Sequence, residues 1–308
     1  MRNLVVPVDD KLYSTFKIGS NAFPFFLSHD DLGNFVRGFV NWHKQKEIEI
    51  SYILEGSVRV CLLSEEHVLH AGDSFIILPD ILHSLQPVAD KPCRYFTLIF
   101  DPCLLTGFSG SFFEQQYYSP VISSARGYHH ISENNDLPSV NAIREHLFWI
   151  YNHESGKDAH MQLNIQRNLQ DIWLLLAQYV FPKSTSTLPN HEDSRILSML
   201  EYLRTHYAEK FSLDAMAEHH HVSRGECCRY FKKMMGMTIS EFLLDYRLSK
   251  AAQWLTLTKT DITSIAHNAG FRSASNFSEE FKKKTGQTPS AYRSSAQLHM
   301  IPSDDSQI

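Results

Sequence analysis

A duplication constrains this chain more than any other feature. Phe231-Lys232-Lys233-Met234-Met235-Gly236-Met237-Thr238-Ile239-Ser240-Glu241-Phe242 recurs about fifty residues later as Phe281-Lys282-Lys283-Lys284-Thr285-Gly286-Gln287-Thr288-Pro289-Ser290-Ala291-Tyr292. The shared frame is F-K-K-x-x-G-x-T-x-S-x-aromatic. Upstream of each copy, Leu213, Met216 and Ala217 match Ile262, Ile265 and Ala266. Ser212 and Asp261 are placed to cap short helices reaching His219 and Asn268. Ser223 opens a helix ending before Gly236, and another runs from Ser273 to Thr285. A long helix over 239–257 joins the units, and a further one over 196–206 precedes them. Each unit is therefore a short helix, a turn and a second helix. A small residue on the first helix lets the second cross closely, and Gly270 suits the tight turn.

A single lysine run is ordinarily a solvated helix face, but two copies in one frame point to a repeated structural unit. In a helix-turn-helix the second helix enters the major groove, its N-terminal residues at the base edges. Small polar residues at Ser273 to Asn276 bring backbone and hydrogen-bonding groups near bases. Lys232, Lys233, Lys282, Lys283 and Lys284 are placed to hold phosphates without reading sequence. Charge agrees with this division. Residues 1–192 hold 14 Lys+Arg against 21 Asp+Glu, a balance of −7. Residues 193–303 hold 15 against 11, or +4, and Asp304 and Asp305 complete the chain's −5. The duplicated part suits a polyanion and the rest does not.

At 308 residues, 43% hydrophobic and 20% charged, the chain is long enough for two globular domains. Neither an apolar leader nor an 18-residue apolar run is present, so a cytoplasmic location is expected. Five scattered cysteines (61, 93, 103, 227, 228) read as reduced thiols. From about 20 to 100 the sequence reads as short strands. Glu47–Leu54 and Val58–Leu62 alternate around a turn at Glu55-Gly56-Ser57; Ser74–Ile77 and Tyr95–Phe100 follow. Many short strands point to a small barrel or sandwich. Two helical stripes come next, Val140-Ile143-Leu147-Ile150 and Met161-Ile165-Leu169-Ile172-Leu176-Val180, suited to a core or a partner helix. Residues 182–192, bracketed by prolines, read as a linker.

With these residues in place, residues 193–293 resemble the paired helix-turn-helix domain of the AraC/XylS family of transcription regulators. Ile265-Ala266, Gly270-Phe271, Asn276-Phe277, Phe281-Lys282-Lys283, Gly286, Pro289 and Tyr292-Arg293 carry the resemblance. Arg247-Leu248, Ala251-Ala252 and Leu255 match the joining helix. The resemblance implies two readers on one DNA face, about one helical turn (~34 Å) apart. Carried over position by position, contacts of the first reader fall on Arg224, Gly225, Cys228 and Arg229. Those of the second fall on Ala274, Ser275, Asn276 and Glu279, with Arg272 and Ser273 leading in. Two positions depart from the family. Glu279 stands where a non-acidic group is common; it accepts from cytosine or repels phosphate. Gly225 lacks a side chain. Arg229 is expected to be the strongest base reader, since arginine is bidentate to guanine.

The first part resembles cupins. Trp42-His43-Lys44-Gln45-Lys46-Glu47-Ile48-Glu49 before Gly56 is similar to their first motif, and Pro79-Asp80-Ile81-Leu82-His83 after Gly72-Asp73 to their second. Metal cupins use two histidines and a glutamate in the first motif and a histidine in the second. His43, Glu49 and His83 match, but the middle histidine is replaced by Gln45, a hard, neutral and weaker ligand. No metal and no cofactor are expected. His43, Gln45, Glu49 and His83, with Arg37 and Trp42, are instead expected to bind a small effector at the barrel mouth. A polar set suits hydroxyl-rich ligands, and AraC-type sensors often take sugars. Neither the histidine run His219-His220-His221 nor the unpaired Cys227-Cys228 is expected to hold metal.

The expectation is an α+β two-domain chain. Residues 1–135 form a cupin-like (double-stranded β-helix) effector-binding barrel, 136–181 a helical dimerisation segment and 182–192 the linker. Residues 193–296 form an all-α paired helix-turn-helix domain, and 297–308 a flexible tail. Its expected role is non-enzymatic: a homodimeric regulator, an activator by resemblance, binding double-stranded DNA and a small molecule, recruiting RNA polymerase and touching no membrane. Two alternatives stand beside it: a metal-dependent cupin enzyme fused to a DNA-binding domain, and a regulator whose barrel only dimerises.

Overall fold

The structure, a computed structural model, describes residues 6–35, 39–88, 93–124, 127–135, 137–154, 158–181 and 191–299. Among the described residues nine strands make up the first domain: β1 (Phe25–Asp31), β2 (Val40–His43), β3 (Ile48–Glu55), β4 (Ser57–Leu62), β5 (Glu65–His70), β6 (Ser74–Ile77), β7 (His83–Pro87), β8 (Arg94–Phe100) and β9 (Tyr128–Ile131). They make two antiparallel sheets, ordered β1-β8-β3-β6-β9 and β2-β7-β4-β5. Gly56, with φ +81°, makes the β3–β4 corner by entering the left-handed region that glycine tolerates.

Alternation along β3 and β8 separates two environments. Ile48 and Ile50, with Phe96, Leu98 and Phe100, face outward onto a helical layer. Ile53 and Tyr95 point inward, joining Val58, Val60, Leu69 and Phe75 in the barrel's apolar half. Glu49, Ser51 and Thr97 share that inward side and are buried polar groups.

The helical layer consists of α3 (Pro138–His153) and α4 (Met161–Leu175), the latter extended by a π-helical turn over Leu176–Val180. The expected stripe is buried almost throughout: Val140, Ile143, Leu147 and Ile150 from α3, and Met161, Ile165, Leu169, Ile172 and Leu176 from α4. These residues pack against this chain's own sheet. Each fully buried leucine contributes about 1.5–3 kcal/mol by leaving water. Residues 103–124, unassigned from sequence, form α1 (Cys103–Thr106), a π-helical turn (Glu114–Tyr118) and α2 (Ser119–Ser124).

The second domain is all-helical: α5 (His191–Thr205), α6 (Leu213–His219), α7 (Arg224–Met235), α8 (Ile239–Leu257), α9 (Ile262–Asn268), α10 (Ala274–Thr285) and α11 (Pro289–His299). Helix α5 starts before the expected residue 196, inside the segment read as linker; residues 182–190 and 300–308 lie outside the described residues. Two cores form. Ile196, Met199, Leu203, Met216, Phe231 and Met234 fill the first; Ile265, Ala266, Phe277 and Phe281 fill the second. Helix α8 serves both, giving Phe242 and Tyr246 to one and Leu248, Ala251 and Leu255 to the other. That double duty explains why its apolar residues do not keep to one stripe.

The domains touch. Ser64 N–H in the β4–β5 turn donates to Met234 O at the end of α7, at 3.0 Å. Lys250 Nζ of α8 lies 2.7 Å from Asp10 Oδ1, and Gln253 Nε2 donates to Val8 O at 2.7 Å. Val8, Leu12 and Trp42 pack into the first helical core.

Candidate functional sites

The duplicated helices carry duplicated ends. Ser223 Oγ accepts from Glu226 N–H at 3.2 Å, and Ser273 Oγ from Asn276 N–H at 3.1 Å. Such caps satisfy N–H groups that a helix start leaves orphaned. Gly236 (φ +69°) and Gly286 (φ +73°) end both helices in the left-handed conformation. Inward, Cys227 and Phe231 of α7 match Phe277 and Phe281 of α10, all fully buried. Outward, Arg224, Gly225, Cys228, Arg229, Lys232 and Lys233 are exposed on α7. At α10, Arg272, Ser273, Ser275, Asn276, Glu279, Lys282 and Lys283 are exposed, and Ala274 is half-buried against the second core.

Local contacts prepare part of the first surface. Arg224 pairs with Asp214 of α6 at 3.2 Å. A methyl group at Gly225 would stand 3.2 Å from the Arg229 guanidinium, which folds back one turn over the glycine. A side chain at 225 would press on the flexible end of Arg229, which would have to shift by a few tenths of an ångström.

Lys284 is a correction. Sequence placed it among the phosphate holders, but it is 6% exposed. It follows Phe277 and Phe281 by seven and three residues and so shares their inner face. Its ammonium pairs with Asp245 of α8 and sits 5.0 Å over the ring of Phe39 in the first domain. The outward basic pair of α10 is Lys282-Lys283.

The turns match with one difference. Val222 N–H donates to Ala217 O at 3.0 Å, and Phe271 N–H to Ala266 O at 3.0 Å. His221 (φ +54°) and Gly270 (φ +82°) occupy equivalent left-handed positions. Arg272 is an extra residue in the second turn, between Phe271 and the cap. His219 and His220 lean on the Tyr202 ring, with centroids 5.0 and 5.9 Å away.

In the barrel, His43, Gln45, Glu49 and His83 come together as expected, all buried. His43 and His83 are cross-strand partners on β2 and β7, their ring centroids 4.3 Å apart. Gln45 Nε2 donates to Glu49 Oε2 at 3.0 Å, and Ser51 Oγ donates to Glu49 Oε1 at 3.3 Å. His83 Nε2 stands 3.4 Å from Glu49 Oε2. Burial pushes the His43 imidazole down to about 3, and a charge on His83 adds to the effect, so His43 is neutral near neutral pH. Burial pushes the Glu49 carboxyl up, but the His83 imidazole 3.4 Å away, with His43 and Gln45 beside it, outweighs burial and holds the group below its usual range.

A cavity of about 440 Å³ opens beside this cluster. His43, Gln45 and Glu49 line it with Ser28, Asp30, Tyr95 and Thr97; Phe26, Phe35, Val40, Leu85 and Ile99 supply apolar wall. Ser14, Phe16 and Ile18 of the N-terminal arm close one side. Trp42 does not reach it. Alternation on β2 turns Trp42 away from His43, into a small gap shared with Phe242 and Tyr246 of α8, so its expected role as a ligand platform is not met. Arg37 lies outside the described residues. Sequence missed Ser28 and Asp30. Their signal was the alternation Phe26-Ser28-Asp30 in β1, whose intervening apolar residues Phe25 and Leu27 face the core. Burial pushes the Asp30 carboxyl up to about 6, helped by the Glu49 charge and opposed by a hydrogen bond from Ser28.

All five cysteines are free thiols. No helix among the described residues is long and apolar enough to cross a membrane.

Comparison with known proteins divides the chain the same way. Residues 35–151 match the AraC-like ligand binding domain family, and residues 216–295 match a helix-turn-helix domain family. The uncharacterized HTH-type transcriptional regulator YdeC of Bacillus subtilis strain 168 is 25% identical over 303 residues, covering 95% of this chain and 99% of that one. An uncharacterized HTH-type transcriptional regulator of Staphylococcus aureus strain MSSA476 is 23% identical over 245 residues, or 79% of this chain. The match spans about a third of that relative's length (31%). Among solved structures, ToxT from Vibrio cholerae O395 aligns over 89% of this chain and 98% of its own, with 12% identity and a TM-score of 0.37.

Proposed function

We propose, for a chain that belongs to the AraC type of DNA-binding transcription regulators, that α7 and α10 read successive major grooves while the barrel cavity holds a small effector. The observation that carries the reading is the duplicated reader: two helices with the same serine cap, the same left-handed glycine end and a buried phenylalanine, Phe231 or Phe281, at the equivalent position. Their outward residues are free to meet a duplex. On α7, Arg229 reads a base and Arg224, Lys232 and Lys233 hold backbone; on α10, Ser275, Asn276 and Glu279 face bases and Lys282 and Lys283 hold phosphates.

Ser28, Asp30, Gln45 and Thr97 offer donors and acceptors across the cavity floor, the chemistry that a hydroxyl-rich molecule such as a sugar requires. The N-terminal arm supports a coupling route. Residues 14–18 border the cavity, while Val8 and Asp10 hold α8, the helix between the readers. A ligand that bears on the arm thereby bears on α8. Promoter activation through RNA polymerase, action as a homodimer and a cytoplasmic location complete the proposal.

The test is a binding titration of Arg229→Ala on the native operator and on random DNA. A base reader loses about 1–3 kcal/mol on the operator, roughly 5- to 150-fold, and much less on random sequence. Equal losses on both would reduce Arg229 to a backbone contact. A thermal-shift panel of sugars with the full chain tests the effector, since a ligand that binds the folded state raises Tm.

A further inference from the structure

The barrel cavity has an electrical sign. Three carboxylates, Asp30, Glu47 and Glu49, are among the described residues that line it, and no lysine or arginine is. Glu49 is already answered: His83 stands 3.4 Å from its Oε2, and Gln45 and Ser51 donate to its two oxygens. The other two are not. Asp30 accepts a hydrogen bond from Ser28 and makes no ion pair among the described residues. His29, next along β1, turns its ring to Tyr151, with centroids 5.0 Å apart. Glu47 is half-buried and likewise has no ion pair among the described residues. Lys44 and Lys46, just before it in the chain, do not line the cavity: Lys44 lies 4.4 Å over the Tyr13 ring, and Lys46 pairs with Asp80 at 2.8 Å.

A carboxylate set among apolar walls is poorly solvated, and a ligand cation that reaches it offsets the lost hydration. Burial, helped by the Glu49 charge, already pushes the Asp30 carboxyl up to about 6. Tyr95, its cross-strand partner, contributes no charge, because burial keeps the phenol protonated. The rest of the wall suits the body of an organic cation. Phe26, Phe35, Leu85 and Ile99 are apolar, and Phe16 of the N-terminal arm meets Phe26 edge to face, with centroids 5.0 Å apart. Aromatic rings attract cations through the negative potential of their faces. An anion meets the reverse of all this: two unanswered carboxylates and, among the described lining residues, no basic side chain to receive a carboxylate or phosphate.

We propose that the effector is a small organic cation, a protonated primary amine whose ammonium donates to Asp30 and Ser28 Oγ, with Glu47 adding negative charge nearby. Its carbon body packs on Phe26 and Phe35, and any hydroxyls it carries meet Gln45 and Thr97. This rests on the reading of the cavity as an effector site and narrows the ligand class. An amino sugar or an arylalkylamine carries the required charge; a neutral sugar leaves Asp30 unanswered, and a sugar phosphate or a fatty acid is repelled.

The experiment is a thermal-shift titration of the full chain at about pH 7 with ligand pairs that differ by one charge. Glucosamine is set against glucose, and phenethylamine against 2-phenylethanol. The amine of at least one pair is expected to raise Tm and to bind about 10- to 100-fold tighter than its neutral partner, the usual worth of a charge-assisted hydrogen bond. Which pair responds tells an amino sugar from an arylalkylamine. Glucose 6-phosphate and phenylacetate, the anionic counterparts, are expected to give no shift. Asp30→Asn keeps the shape and removes the charge, so the preference for the amine should fall about tenfold or more; Glu47→Gln should lower it a few-fold, by roughly the weight of a partly screened charge. Circular dichroism reports whether each variant folds, and the wild-type pairs need no variant. Tighter binding of the neutral or anionic member, no response to either amine, or an undiminished preference in folded Asp30→Asn would overturn the inference. Binding of a neutral member alone would leave the effector reading standing without the cation, and silence from every pair would leave that reading to the sugar panel.

Discussion

At the scale of single residues, the two turns make one backbone demand and answer it differently. His221 and Gly270 both take positive φ, which costs a side-chain-bearing residue about 1–2 kcal/mol. At Gly270 a methyl group would also stand 2.6 Å from Tyr207 O, a backbone atom with little freedom to retreat. Gly270→Ala is therefore expected to cost at least about 2 kcal/mol in urea unfolding. His221→Gly relieves strain but adds freedom to the unfolded chain, for a net gain of about 0.5 kcal/mol. Asp30 gives a pH signature. Its folded pKa, raised to about 6, exceeds the unfolded value, so the native state binds the extra proton. The native state is favoured by it below about pH 4, loses that advantage between about pH 4 and 6, and stays without it above. Asp30→Asn removes this dependence. Allowing for a partly exposed carboxyl, the wild type should lose about 1–2 kcal/mol more than the variant between pH 4 and 7. Parallel stability profiles for the two proteins would show that Asp30 keeps an ordinary pKa.

At the scale of elements, α4 concentrates stability. Leu169 is wholly buried between sheet and helix, and Leu169→Ala should cost about 2–5 kcal/mol, read as a fall in the midpoint of chemical unfolding. The same scale shows what was legible in the sequence. Helices α6 to α10 were read nearly to the residue because Ser212, Ser223, Asp261 and Ser273 are side-chain caps and Gly236 and Gly286 mark the ends. Strands β3, β4, β6 and β8 were legible because their inner faces are filled. Strand β5 was not, since at the sheet edge it buries only Leu69 and its charged residues resemble a loop. Strands β2 and β7 were hidden differently: His43 and His83 are polar residues turned inward, against the pattern that marks a strand. Local sequence located the cluster through its motifs, yet the amide direction of Gln45 and the approach of His83 to Glu49 exist only in three dimensions. Lys284 was misread because three consecutive lysines look alike, while helical geometry turns one of them inward.

At the scale of the whole molecule, the N-terminal arm joins the barrel to α8 of the helical domain. Lys250 is nearly buried at its bond to Asp10, whose own side chain is largely exposed, so the partners differ in what they lose on separation. The hydrogen bond from Gln253 to Val8 O reinforces the same joint. Lys250→Ala with Gln253→Ala should free the arm from α8 without touching either domain's interior. Amide exchange over residues 6–18 is expected to quicken at least tenfold while α3 and α4 keep their protection. Protection of the arm unchanged by the double substitution would move the joint elsewhere.

The duplicated helices share their caps and the positions they bury, yet differ in their exposed N-terminal residues: Arg224, Gly225, Cys228 and Arg229 on α7 against Ala274, Ser275, Asn276 and Glu279 on α10. One frame carrying two different exposed faces gives a single chain a front and a back. If each helix reads its own half-word as proposed, a duplex presenting the two in reversed order would meet the wrong residue at each, and one protomer alone would tell upstream from downstream.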